Sequence, residues 1–176
     1  MQRDELRSFL TDITADRLAL IQRHEASARV VSNYDFNNAY QYVIAREETH
    51  LTWLETALSE IEAPMPAASP IAAVPEVKGG KSPDTSAFRG ILSDEARLLG
   101  SFVDKWRNRV DSLSHARHRT MLNVVLGESL EHKRLFEQAA SGFEDVIGRR
   151  TGASRASAQY CRRAGKSDPG RDRPRQ

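Results

Sequence analysis

The chain has 176 residues, of which 39% are hydrophobic and 28% charged, the proportions of one ordinary globular domain with a single core. It holds no run of about 18 apolar residues and opens on the charged stretch MQRDELRSFL, so neither a membrane-spanning helix nor a secretory leader is expected, and the reading is a cytoplasmic protein. A lone Cys161 excludes an intrachain disulfide, and the net charge of +2 hides an asymmetry: residues 149–176 carry nine of the 26 Lys and Arg but two of the 24 Asp and Glu.

Leu6, Leu10, Ile13, Leu20, Ile21, Ala28 and Val31 recur at spacings of three, four and seven, which predicts a first helix over 4–31. Ser32-Asn33-Tyr34-Asp35 then reads as a capping box, with Ser32 opening a second helix over 32–62. That helix carries Phe36, Tyr40, Val43, Leu51, Leu54, Leu58 and Ile61 on one face. The following APMPAASPIAAVPEV has four prolines, and residues 63–83 lack helical periodicity, so an extended crossover is expected there.

A third helix over 85–113 is predicted from Phe88, Leu92, Leu99, Phe102, Trp106, Val110 and Leu113, and a fourth over 116–147 from Met121, Val124, Val125, Leu135, Ala139, Phe143 and Val146. Residues 1–148 therefore form one all-α domain, a four-helix bundle of two antiparallel hairpins joined by one long crossover. The basic tail, 149–176, has almost nothing apolar to bury and reads as disordered. With Tyr160 as its only aromatic and no DNA-reading motif, nucleic-acid contact through it is not expected.

An amphipathic helix keeps carboxylates off its buried stripe, because an unpaired buried charge is costly. The stripe of the second helix nevertheless passes through Glu47 with His50 beside it, that of the third through Glu95, and that of the fourth through Glu128 and His132, with Glu131 on the flank. Measured from the turns, Glu95 and Glu128 are equally distant from residue 111.5, so they are expected to face each other. Carboxylates and imidazoles gathered inside one bundle need a neutralising cation, and Glu oxygen with His nitrogen suits iron or manganese.

AREETHLTWLETAL at 45–58, GESLEHKRLFEQA at 127–139, Glu95 and the long crossover together resemble the ferritin-like di-iron carboxylate superfamily, in the rubrerythrin and bacterioferritin style. The resemblance spans 4–148. It implies a ferritin-like bundle holding one or two iron ions, with manganese or zinc as alternatives, and oxygen- or peroxide-linked redox chemistry of the ferroxidase or peroxidase type. It also implies a homodimer or higher homo-oligomer. Glu47-x-x-His50 matches the family's Glu-x-x-His motif and Glu95 its single glutamate. The fourth helix departs from the pattern, since His132 stands four residues after Glu128 and Glu131 takes the expected histidine position. The first helix lacks its glutamate; Arg17 and His24 occupy its stripe, and Asp16, level with Glu47, is the substitute. The expected metal ligands are thus Glu47, His50, Glu95, Glu128 and His132, with Glu131 and Asp16 as weaker candidates. The alternative reading is a metal-free helical interaction or scaffold protein.

Overall fold

A computed structural model describes residues 3–75, 88–143 and 146–148. The chain forms four helices, α1 (Arg3–Val30), α2 (Tyr34–Glu60), α3 (Arg89–Asp111) and α4 (Ala116–Ala140). They pack as two close hairpins, α1 with α2 and α3 with α4, and the contacts α1–α3 and α2–α4 close the ring. The all-α four-helix bundle expected from the stripes is what forms, and no helix among the described residues is long and apolar enough to cross a membrane. The tail after Gly148 lies outside the described residues, as does the start of the third helix expected at 85.

Local chemistry sets the helix ends. Asp4 and Glu5 lie in the first turn of α1 and Arg29 in its last, each complementing the helix dipole. The cap of α2 is Asn33 rather than Ser32: its side-chain oxygen accepts from the Phe36 amide at 3.0 Å. Asn37 closes the same corner by donating to the carbonyls of Ala28 and Val31. The fourth helix stops seven residues earlier than its periodicity suggested. Gly142 adopts φ +88°, the left-handed conformation that glycine tolerates, and the Gly142 and Phe143 amides bond back to Ala139 and Gln138. Val146 still reaches the core after this turn, but Phe143 is exposed.

The inward stripe of α4 also differs from the expected one. Leu122, Val125, Ser129, His132, Phe136 and Ala139 are buried, whereas Val124 is exposed and Met121 and Leu135 are only partly covered. Apolar residues at 121, 122, 124, 125 and 126 surround this part of the helix, so composition permitted two stripes one residue apart, and packing selected the second.

Side-chain contacts give the helix directions. Phe9 meets Trp106 edge-on at one end of α1 and Arg23 meets Glu95 towards the other, so α1 and α3 are antiparallel. Tyr40 with Phe136 and Glu60 with Arg117 show the same for α2 and α4. With antiparallel hairpins, α2 and α3 must then run in the same direction, and the connection between them has to travel the length of the bundle. Its described part does so along α1. The Glu62 carbonyl accepts from Arg7, Ser69 bonds to the Ala15 carbonyl and to Asp16, and the Ala72 carbonyl accepts from Arg23. Ten extended residues reach about 33 Å, more than the roughly 24 Å that α1 rises between residues 7 and 23.

Candidate functional site

The interior halfway along the bundle is polar. Arg17, Arg23, His24 and Ser27 project from α1, Glu47 and His50 from α2, Glu95 from α3, and Ser129 and His132 from α4, all of them buried. On α1 the series 10, 13, 17, 20, 24, 27 places Arg17, His24 and Ser27 on the stripe held elsewhere by Leu10, Ile13 and Leu20.

Arg17 donates from Nη1 to Glu47 Oε1 at 2.6 Å and from Nη2 to Ser129 Oγ at 2.7 Å, and its guanidinium carbon lies 4.3 Å from the centre of the Phe102 ring. His24 sits between two carboxylates, with Nδ1 2.9 Å from Glu95 Oε2 and Nε2 3.4 Å from Glu47 Oε2. Glu95 also accepts from Arg23 Nε at 3.0 Å and from Ser27 Oγ. His132 Nδ1 approaches Glu47 Oε1 at 3.4 Å. Two buried carboxylates therefore face two guanidiniums and two imidazoles, with Asp94 3.7 Å from Arg23 at the margin.

Protonation follows from this arrangement. Burial alone would lower the His24 pKa, but Glu47 and then Glu95 more than offset it and raise it to about 9, so the ring is a cation at neutral pH. Burial works in the opposite sense on Glu47, but Arg17 and His24 prevail and hold its carboxyl well below the usual range. Glu95 is lowered too, its burial outweighed by His24, Ser27 and Arg23. His50 is the exception: burial and the neighbouring Arg17 outweigh Glu128 and Glu47 and push it down to about 4, so it is neutral.

The seven residues expected as ligands are therefore divided. Glu47, Glu95, His50 and His132 are buried as anticipated. Glu128 lies at the rim, because the α4 stripe runs through Ser129 instead; it is held by Arg46 at 2.6 and 3.0 Å and by His50 Nε2 at 3.0 Å. Glu128 and Glu95 do not face each other: the first bonds to α2 and the second to α1. Glu131 points outward and pairs with Arg134. Asp16 turns away from the cluster towards Ser69, Lys105 and the Trp106 indole. The level argument from the α1–α2 turn did identify the right height, but the inward residue there is Arg17. Among the described residues, no three His, Cys, Asp or Glu side chains are arranged to hold a metal ion.

An open cleft of about 750 Å³ lies over this interior between α2 and α4, walled by Tyr42, Arg46, Glu128, Leu135 and Ile147, with His132 among its lining residues. A second, apolar groove follows the same seam at Trp53, Met121 and Val124.

No protein-family model matches the chain, and no curated protein does. Among solved structures, it is similar to a conserved hypothetical protein from Mycobacterium tuberculosis, at 17% identity and a TM-score of 0.59, covering 81% of this chain and 95% of that one. That likeness concerns the fold alone.

Proposed function

We propose that this protein is a metal-independent helical-bundle scaffold that binds a partner, with its interior carboxylates neutralised by its own side chains. The observation that carries this reading is the trio Arg17, Arg23 and His24, which reaches Glu47 and Glu95 from α1 and supplies the positive charge that a metal ion supplies in carboxylate bundles. Adding a divalent cation to a cluster already holding three cations against two buried anions would leave it strongly positive in a low-dielectric interior. The α2–α4 seam offers a partner both an open cleft and an apolar groove, while the described part of the connection runs along α1.

A second reading keeps iron, with manganese or zinc as alternatives, and oxygen- or peroxide-linked chemistry. It is favoured by two Glu–His pairs that already join α2 to α4, Glu47 with His132 and His50 with Glu128. Those four side chains would hold the ion, which would supply the redox step, once Arg17 and Arg46 had left their carboxylates.

Metal analysis of the purified protein after anaerobic loading separates the readings. The scaffold reading expects less than about 0.2 equivalents of iron, manganese or zinc per chain. One equivalent that disappears in the Glu47→Ala, His50→Ala variant would overturn it.

A further inference from the structure

Resting on the scaffold reading, we infer that the partner on the α2–α4 seam is a second copy of this chain, docked α2 on α4 about a two-fold axis that runs parallel to the bundle. The outer face of these two helices alternates along its length. Tyr42 and Leu135 wall the cleft, then Arg46 meets Glu128 at 2.6 Å, then Trp53, Met121 and Val124 line the apolar groove, and Arg117 meets Glu60 at 2.8 Å beyond it. Tyr42 and Val124 are 44% and 42% exposed, and Trp53, Met121 and Leu135 are only partly covered.

The placing of the charges selects the occupant. Each ion pair has one member on α2 and the other on α4, with the cation on α2 in the first and on α4 in the second. A two-fold interface brings residue i of one copy to residue j of the other, and j to i. An axis parallel to the helices sets α2 over α4 of the second copy at unchanged height, so apolar band meets apolar band, Arg46 meets Glu128 of the second copy, and Glu60 meets Arg117 of the second copy. Trp53 then covers Met121 and Val124, and Tyr42 covers Leu135. An axis across the bundle fails: level with Arg46 it sets that cation against its own copy, and at the middle of the seam it lays Tyr42 beside Glu60. A partner of one strong charge gains little from a face whose charges are already paired. The size also fits. From Tyr40–Phe136 to Glu60–Arg117 the two helices run together for about 30 Å, and at about 10 Å each in width they offer roughly 600 Å² before side-chain relief, near the ~800 Å² per partner of a stable dimer.

Sedimentation equilibrium on the full chain in EDTA tests the inference, with circular dichroism as the check on folding. Wild type is expected at twice the chain mass at about 50 µM, and Val124→Glu, which places a charge at an exposed position twice per dimer, should weaken association at least about tenfold with an unchanged helical signal. Thr49 lies three residues after Arg46 and four before Trp53, on the face of α2 set over α4 of the second copy. Chains carrying Thr49→Cys and chains carrying Val124→Cys, both with Cys161→Ser, should therefore oxidise to a covalent dimer when mixed and not when alone. If Val124→Glu loses helical signal, the mixed cysteine pair decides. A monomeric wild type at that concentration, a dimer indifferent to a folded Val124→Glu variant, or a mixed pair that stays unlinked overturns the inference and leaves the scaffold reading standing for another kind of partner. A dimer that forms only when iron, manganese or zinc is added overturns both.

Discussion

His24 and His50 titrate in opposite senses, and that opposition gives the interior a measurable pH signature. His24 binds its proton more tightly in the folded chain, to about 9 against 6.5 when unfolded, so the stability it contributes is complete below pH 6.5 and is lost as pH rises towards 9. The folded state holds His50 neutral down to about 4, so between pH 6.5 and 4 the unfolded chain binds the extra proton and stability falls as pH falls. Chemical denaturation at a series of pH values should therefore show a maximum near pH 6.5. His24→Gln should flatten the alkaline limb and leave the acid limb in place; an unchanged alkaline limb would contradict the bridging role of His24. Single charges should divide in the same way. Glu47→Ala strands Arg17 in the interior and is expected to cost about 3–5 kcal/mol, whereas Glu131→Ala removes an exposed pair and should cost less than about 1 kcal/mol. Denaturant midpoints compared at constant m-value measure both.

At the scale of the helices, the sequence revealed existence and order more fully than phase or ends. The stripes of α1, α2 and α3 were legible as apolar series at helical spacing, and the polar members of those series, Arg17, His24, Glu47 and Glu95, could be read as inward from spacing alone. In α4, apolar residues at 121, 122, 124, 125 and 126 surround the helix just before the site, and periodicity could not choose between Glu128 and Ser129 as the inward residue. The opposite-signed partners were within reach: Arg17 and Glu47 are almost equidistant from the α1–α2 turn, so the level argument that was applied to Asp16 applies equally to an ion pair across the hairpin. The pairing of Glu95 with α1 was hidden because it depends on how the hairpins dock, which no local pattern encodes. Ends were misplaced for chemical reasons that mutation can check. Asn33→Ala should destabilise the protein by about 1 kcal/mol while Ser32→Ala leaves it unchanged, because it is the Asn33 side chain that accepts the Phe36 amide. Equal losses in thermal melts would return the cap to Ser32.

Across the whole molecule, the buried charges bind the two hairpins into one cooperative unit. Neither hairpin is electrically complete by itself: α1 and α2 together bury Arg17, Arg23 and His24 against Glu47, and the second carboxylate, Glu95, comes from α3. Separating the hairpins would expose Arg23 and His24 without Glu95 and Arg17 without Ser129, in addition to uncovering Trp106 and Phe136. The connection adds to this coupling, because Arg23 holds both Glu95 and the Ala72 carbonyl, so the strap and α3 depend on one side chain. An intermediate with one hairpin formed would therefore lose these ion pairs and leave the apolar faces that the hairpins bury against each other in water, and unfolding should be two-state. Two tryptophans make the expectation testable, since Trp53 reports on α2 beside α4 and Trp106 on α3 against α1. Urea transitions followed by Trp53→Phe and Trp106→Phe fluorescence, and by far-ultraviolet circular dichroism, should coincide within each variant. A Trp53 signal that changes at lower urea than the helical signal of the same variant would show α2 and α4 parting first, and would place the energetic centre of the bundle in the α1–α3 half instead of in the network that joins all four helices.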